Sequence, residues 1–363
     1  MGFFLSFASP QVCPSRNGTS LTPLGAFLLF FPAAAAVTVL CCLSACFPGA
    51  GDVLQGAPVK VTDVSMDSWV FACAAWRSAF HGHFGRVACV TGGHRQLDDA
   101  FLALLDRLRW GCHTAADVAA VNATWENFCP PPGVARDDIT KLRIRKAAVH
   151  DINRDRLGAI DEPLFTFPSE AVMVATDPAE QARALVDLHE FLDPTFLAKV
   201  SSPVIFTRRV GRFPTGTRGH IVGFGSRAGE SGEGQSMAFI VCMVEGERVE
   251  VERQRFSVYD AAGSELVFCY QMPLLLGWAL TVHRAQGFNL DAVEVDFMQD
   301  TWSTCGLVYT ALSRCRTLAG LRVKGLTKAL VQVSSTARKY MAKEMHAAGV
   351  LDGNATVWLP REA

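Results

Sequence analysis

Pro273-Leu274-Leu275-Leu276-Gly277-Trp278-Ala279-Leu280-Thr281-Val282-His283-Arg284-Ala285-Gln286-Gly287 begins as an apolar run and ends on a row of hydrogen-bonding side chains. Leu274 to Leu280 predicts a buried strand or a helix entry. Downstream, Ala292-Val293-Glu294-Val295-Asp296-Phe297 alternates as a strand does. Thr301 to Arg316 predicts a helix, and Leu321-Arg322-Val323 a last strand. Packing alone explains Leu274, Leu280 and Leu312. It does not explain His283, Gln286 and Arg314 placed together at loop and helix ends.

Upstream of this stretch the texture is β. Val204 to Thr207 and His220 to Phe224 read as strands. Ala238 to Val244 and Arg248 to Glu252 read as a hairpin about Glu245-Gly246-Glu247, and Gly229 to Gly234 as an acidic loop. Short strands at this pitch predict a small barrel of roughly 60 residues. α/β texture flanks it, which makes it an insertion. Lys141 to Ile160 predicts a short strand (Leu142, Ile144) and a helix about Val149, Ile152 and Leu157, and Ala184 to Phe191 a further helix. Leu97, Phe101, Leu104, Leu105 and Leu108 share one helical face, with Asp98 and Asp99 at its start, Arg107 and Arg109 at its end and Gly111 as its stop. Ser68 to Phe80 predicts a helix, and Arg86 to Val90 a strand leading into Thr91 to Gln96. Asp52 and Gln55 stand in a turn-rich stretch after an apolar run, where a strand's carboxyl end faces a ligand. Alternating β and α around an inserted barrel predicts an α/β fold on a parallel sheet.

The chain has 363 residues, half of them apolar, and a net charge of −1. That length holds two or three domains. A protein gripping nucleic acid through its overall charge would be more basic, so any such site is a local basic surface. The candidate clusters are Lys141, Arg143, Arg145 and Lys146; Arg208, Arg209 and Arg212; and Arg314, Arg316, Arg322 and Lys324. Each, taken singly, reads as a solvated face. The 12 cysteines contain no Cys-x-x-Cys pair and sit in apolar contexts, as reduced thiols of an intracellular protein do. No Cys/His group has zinc-ligand spacing, so no metal site is expected.

Residues 17 to 51 carry no charge, and Leu24 to Phe47 is almost wholly apolar. At ~1.5 Å per residue it is long enough for a bilayer of ~30 Å. Three readings stand: a membrane or targeting segment, a buried helix and strand leading into the domain, or a non-native lead-in. Length favours the first, and the downstream motifs favour the other two.

The Trp278 to Gly287 block, the strand after it and Tyr309-Thr310-Ala311-Leu312-Ser313-Arg314 resemble the fifth and sixth motifs of Pif/RecD-like superfamily 1 DNA helicases. There a Trp-Ala-x-Thr-[Val/Ile]-His-[Lys/Arg]-x-Gln-Gly block precedes a strand, and a Tyr-x-Ala-Leu-Ser-Arg helix follows. Gly51-Asp52-x-x-Gln55-x-x-Pro58-Val59 resembles the third motif, with Gly56-Ala57 in place of Leu-Pro. Arg95-Gln96 resembles the fourth, with His94 in place of an aromatic residue. Thr207-Arg208-Arg209 and Gly216 to Phe224 resemble the start of the family's small barrel. The likeness covers roughly residues 51 to 327 and is to the C-terminal half of such helicases.

The resemblance implies a RecA-like parallel-sheet lobe with an inserted small β-barrel, preceded by the apolar N-terminal segment. The implied division is 1–50 for that segment, 51–90 for a remnant of the first lobe, and 91–202 and 269–335 for the second lobe. The barrel takes 203–268 and a tail takes 336–363. It also implies ATP and Mg²⁺, single-stranded or junction DNA as partner, and work in DNA repair and recombination. Arg314 and Arg95 would stabilise charge on the transferred phosphate, and Gln55 would sense it. Gln286 and Gly287 would couple the nucleotide to DNA held by Thr281, His283, Arg284, Tyr309, Ser313 and Arg316. Yet no Gly-Lys-Ser or Gly-Lys-Thr occurs in the chain, so a phosphate-binding loop is missing. Ile160-Asp161-Glu162 imitates a magnesium-holding pair but lies on the wrong side of the fourth-motif match. The expectation is a truncated or divergent helicase without autonomous ATP hydrolysis, whose first lobe is a missing partner, placed in nucleus or mitochondrion. The alternatives are a non-catalytic single-stranded nucleic-acid-binding module and a membrane-anchored protein.

Overall fold

The computed structural model describes residues 52, 54, 55, 69–72, 96, 98–130, 139–228, 236–260 and 263–347. The apolar segment 1–50, the strand expected at Arg86 to Val90, Arg95, the loop from Gly229 to Gly234 and most of the helix expected at Ser68 to Phe80 lie outside the described residues.

In chain order, α1 (Asp99–Trp110) and α2 (Ala115–Asn127) precede β1 (Thr140–Arg143) and α3 (Lys146–Gly158). Then come β2 (Phe165–Pro168), β3 (Val172–Met173), α4 (Pro178–Phe191), β4 (Thr195–Ala198), β5 (Pro203–Phe206), β6 (Arg218–Ala228), β7 (Ser236–Val244), β8 (Glu247–Glu252), β9 (Gln254–Tyr259), β10 (Glu265–Gln271) and β11 (Leu274–Leu276). They are followed by β12 (Ala279–Thr281), α5 (Val282–Ala285), β13 (Val293–Asp296), α6 (Leu307–Leu312), β14 (Leu321–Lys324) and α7 (Ser335–Ala347).

β12, β1, β13 and β14 form, in that order, a four-stranded parallel sheet. Leu142, Leu280, Val293, Val295, Leu321 and Val323 point to one core, where Phe101, Leu104, Leu105 and Leu108 of α1 and Leu307, Val308, Ala311 and Leu312 of α6 meet them. α1 has the expected limits: the Asp98 side chain caps its start, and Gly111, left-handed at φ 73°, ends it. α2 had no expectation. Its amphipathic signal is faint, but Thr114 and Asp117 close a capping box that fixes its start.

The opposite sheet face is charged. Register places Lys141 and Arg322 on either side of Glu294. The Glu294 carboxylate takes Arg322 Nη1 at 2.7 Å, with Arg143 Nη2 at 3.8 Å and Lys141 Nζ at 3.9 Å. Trp125 of α2 lies against the Arg322 guanidinium at 4.1 Å. Arg143 is 4% exposed and Arg314 is fully buried. The solvated-face reading is therefore corrected: pairing across a central strand removes Arg143 from solvent, and Arg314 is buried at the end of α6 on Thr310 O and Ser313 Oγ.

Two element limits are also corrected. Leu274 to Leu280 is two strands, because Gly277 turns the chain between sheets. Its amide donates to Pro203 O at 2.7 Å, and a Cβ there would meet Pro203 backbone at 3.2 Å. The helix expected over Thr301 to Arg316 is only α6, since Gly306 before it is left-handed at φ 77°. Between β1 and β12 the chain makes antiparallel ladders: a five-stranded sheet β11–β5–β6–β7–β8, a three-stranded sheet β3–β10–β9 and a β2–β4 pair. The β7–β8 hairpin turns through Glu245 and Gly246, both at positive φ, as expected. α4 covers the three-stranded sheet with Ala184 and Leu188, joined by Leu192 just past its end.

Cys242, Cys269 and Cys315 are buried free thiols, and burial pushes Cys242 and Cys315 up to about 12. Among the described residues no helix is long and apolar enough to cross a membrane.

Candidate functional site

α5 is a single turn at the carboxyl end of β12. Thr281 caps it, its Oγ1 accepting from the Arg284 amide at 3.2 Å. Gln286 ends the turn, and Gly287 follows at φ 91°. Gln286 Nε2 donates to Gln55 Oε1 at 3.0 Å, which joins segments 231 positions apart.

Gln55 is held from below. The Leu54 amide donates to Asp52 Oδ1 at 3.0 Å, and the Gln55 amide to Asp52 O at 3.2 Å. Asp52 in turn takes Arg109 Nη2 at 2.9 Å and Nε at 3.0 Å. The start of α6 presses on the same turn: a Cβ at Gly306 would lie 2.4 Å from Gln55 O. Gln96 Nε2 reaches Ser313 O at 3.2 Å, so the residue after Arg95 meets the end of α6.

Just past α6, Arg314 Nε donates to Thr310 O and Nη2 to Ser313 Oγ, both at 2.8 Å. Burial drives the Tyr309 phenol well above its usual range, and Asp52 adds to that against Arg109 and Arg314. Tyr309 is thus a neutral hydroxyl beside a charged group of Asp52, Arg109 and Arg314. Burial likewise raises the nearby Asp106 carboxyl. Gln55, Gln286, Arg314, Tyr309 and Ser313 therefore belong to one region. Arg109 belongs there too, though in sequence it is only the closing charge of a helix.

A second region is a cleft of about 330 Å³ between α3, β4, β12 and α5. Thr281 and Arg284 line it with Lys146, His150, Asn153 and Asp193. Arg284 Nη1 and Nη2 reach the two Asp193 oxygens at 3.1 and 3.2 Å. Asn153 closes the free edge of β12, its amide nitrogen donating to Ala279 O at 3.1 Å and its oxygen accepting from Ala279 N at 3.0 Å. His283, Tyr309, Ser313 and Arg316 do not line this cleft. Burial lowers the His283 imidazole, favouring its neutral form. Arg316 is exposed and pairs with Asp291 at 3.4 Å. Asp193, His150 and Asn153 carry no local sequence signal; only the packing of α3 and α4 brings them to α5.

Among the described residues no group of three or more His, Cys, Asp or Glu side chains converges as a metal holder.

No protein-family model matches the chain. Its sequence is 27% identical over 289 residues to the ATP-dependent DNA helicase PIF1 of Danio rerio, across 78% of this chain and 41% of that protein. It is 28% identical over 297 residues to PIF1 of Mus musculus, across 80% of this chain and 42% of that one. The chain is similar in sequence to Pif1 helicases. Against Pif1 of Bdellovibrio bacteriovorus identity is 27% over 278 residues, 76% of this chain and 57% of that one. The crystal structure of Pif1 helicase from Candida albicans matches with a TM-score of 0.60 at 22% identity, over 81% of this chain and 67% of that one. Bacteroides sp Pif1 in complex with ADP-AlF4 matches at 0.51 and 20% identity, over 70% and 56%. The parallel-sheet α/β fold is that of Pif1 structures. The chain spans about 41–42% of the length of the vertebrate Pif1 proteins it matches.

Proposed function

We propose that the chain carries the DNA-coupling lobe of an ATP-dependent DNA helicase of Pif1 type, acting on single-stranded or junction DNA in repair and recombination. The observation that carries this reading is the Gln55–Gln286 hydrogen bond. It links the turn resembling a phosphate sensor to the turn resembling the nucleotide–DNA coupler, so a change on one side is felt on the other. Arg314 and Arg95 serve the nucleotide side, while Thr281, His283 and Arg284, with Tyr309, Ser313 and Arg316, serve the strand. The reading takes β5 to β8 of the five-stranded antiparallel sheet as part of the inserted small barrel expected over 203–268. ATP is the substrate and Mg²⁺ its counter-ion by likeness to the family. No Gly-Lys-Ser or Gly-Lys-Thr occurs among the 363 residues, and this reading takes the phosphate cradle from a separately supplied first lobe.

That same absence favours, as a second reading, a single-stranded nucleic-acid-binding module without catalysis. One experiment separates them: oligo(dT) binding and DNA-stimulated ATP hydrolysis on the purified chain. The expected result is binding that weakens as salt rises, is reduced in Arg284→Ala, and comes with hydrolysis at background. Adding a separate Pif1 first lobe then restores hydrolysis under the first reading and leaves it at background under the second. No binding even at low salt sinks both.

A further inference from the structure

The cleft beside α5 holds a carboxylate where a strand-binding surface needs an anion. Asp193 follows the end of α4, and buried Gln271, whose Nε2 donates to Phe167 O at 3.0 Å, also lies 3.4 Å from Asp193 O and Pro194 O. Its carboxylate faces Arg284 with both oxygens, the geometry in which a guanidinium also takes two phosphate oxygens. His150 Nε2 stands 3.9 Å from the same carboxylate. Lys146 and Arg154 also line the cleft, beside apolar Val149, Leu157, Phe196 and Leu276, and Arg154 pairs with Asp151 at 2.9 Å. Burial opposes ionisation of Asp193, but Arg284, His150 and Lys146 outweigh it and hold the group below the usual carboxylate range. Arg284 Nε remains buried with no acceptor among the described residues, so the pair leaves Arg284 incompletely satisfied. The side chains are also accessible, Asp193 39% and Arg284 15% exposed, unlike a sealed internal ion pair.

We propose that Asp193 occupies the place of a backbone phosphate while nucleic acid is absent, and that a single strand enters the cleft by taking Arg284 from it. This rests on the strand-binding reading above and adds an intramolecular competitor to it. Lys146 and His150 then become further phosphate contacts, and the cleft is the local basic surface that a chain of net charge −1 requires.

The test compares the full chain with D193N, R284A and the D193N/R284A pair, against oligo(dT) and separately against inorganic pyrophosphate. D193N should bind both probes more tightly, by about tenfold at low salt, and the salt slope for oligo(dT) should steepen by about one. The double variant should lose the gain. Should D193N fail to fold, Asp193→Ser reads the same quantity. If neither D193N nor Asp193→Ser improves pyrophosphate binding, or the gain survives R284A, the proposal is overturned. A pyrophosphate gain without oligo(dT) binding by any variant leaves the anion site standing and removes the helicase reading instead.

Discussion

Glu294 and Asp193 both hold arginines, and they do so to opposite ends. Glu294 lies on a central strand, 6% exposed, with Arg143, Lys141 and Arg322 drawn round it and Trp125 over the top. Its cations are structural. Asp193 lies at the rim of a cleft and holds Arg284 where solvent and ligand reach it. Identical chemistry thus gives a sheet clamp in one place and a surface that can exchange partners in the other. The difference is access.

The largest effect expected is on the clamp. Glu294→Gln leaves buried Arg143 without its counter-charge and should cost about 3 kcal/mol in urea unfolding, whereas Asp193→Asn should cost less than about 1. Equal losses would break the comparison. Next comes the contact between the start of α6 and the Gln55 turn, remote from both carboxylates. Gly306→Ala places a methyl 2.4 Å from Gln55 O at a positive φ and should cost about 2 kcal/mol. Amide exchange at Leu54 and Gln55 should speed up with it, while exchange across β7 and β8 stays unchanged.

The smallest effect sharpens the point about access with a third carboxylate. Hydrogen bonds from Arg107, aided by Thr114, take Asp117 from 3.8 to about 2 against the pull of burial. A depressed carboxylate stabilises the fold above its unfolded pKa and stops doing so as pH falls through its folded one. Asp117→Ala should therefore cost about 1 kcal/mol near neutrality, given solvent screening at Arg107. The gap between parent and variant should close as pH drops from 3.8 towards 2. A gap that does not shrink at all between about pH 4 and pH 2 would show that Asp117 acts only through packing.

Much of the parallel-sheet lobe was legible from short-range rules. α1 begins and ends where its acidic cap and its glycine say, because those signals act within one helical turn. β13 and the β7–β8 turn are equally local. The family likeness was legible because Thr281 to Gly287 and Tyr309 to Arg314 place hydrogen-bonding groups where packing needs none. Three things were not legible. The split of Leu274 to Leu280 between two sheets depends on Pro203 meeting Gly277, and those residues are distant in sequence. The fate of the basic clusters depends on strand register, since β13 brings Glu294 between Lys141 and Arg322. The make-up of the cleft depends on how α3 and α4 pack beside β12, which sets Asp193 against Arg284.

By itself, then, the sequence determined the limits of α1, the β7–β8 hairpin, the strand β13 and the family likeness, through capping, alternation and motif spacing. Only the tertiary structure decided which cations are usable. A charge is free or spent according to the carboxylate that long-range packing puts beside it and the water that packing leaves around it.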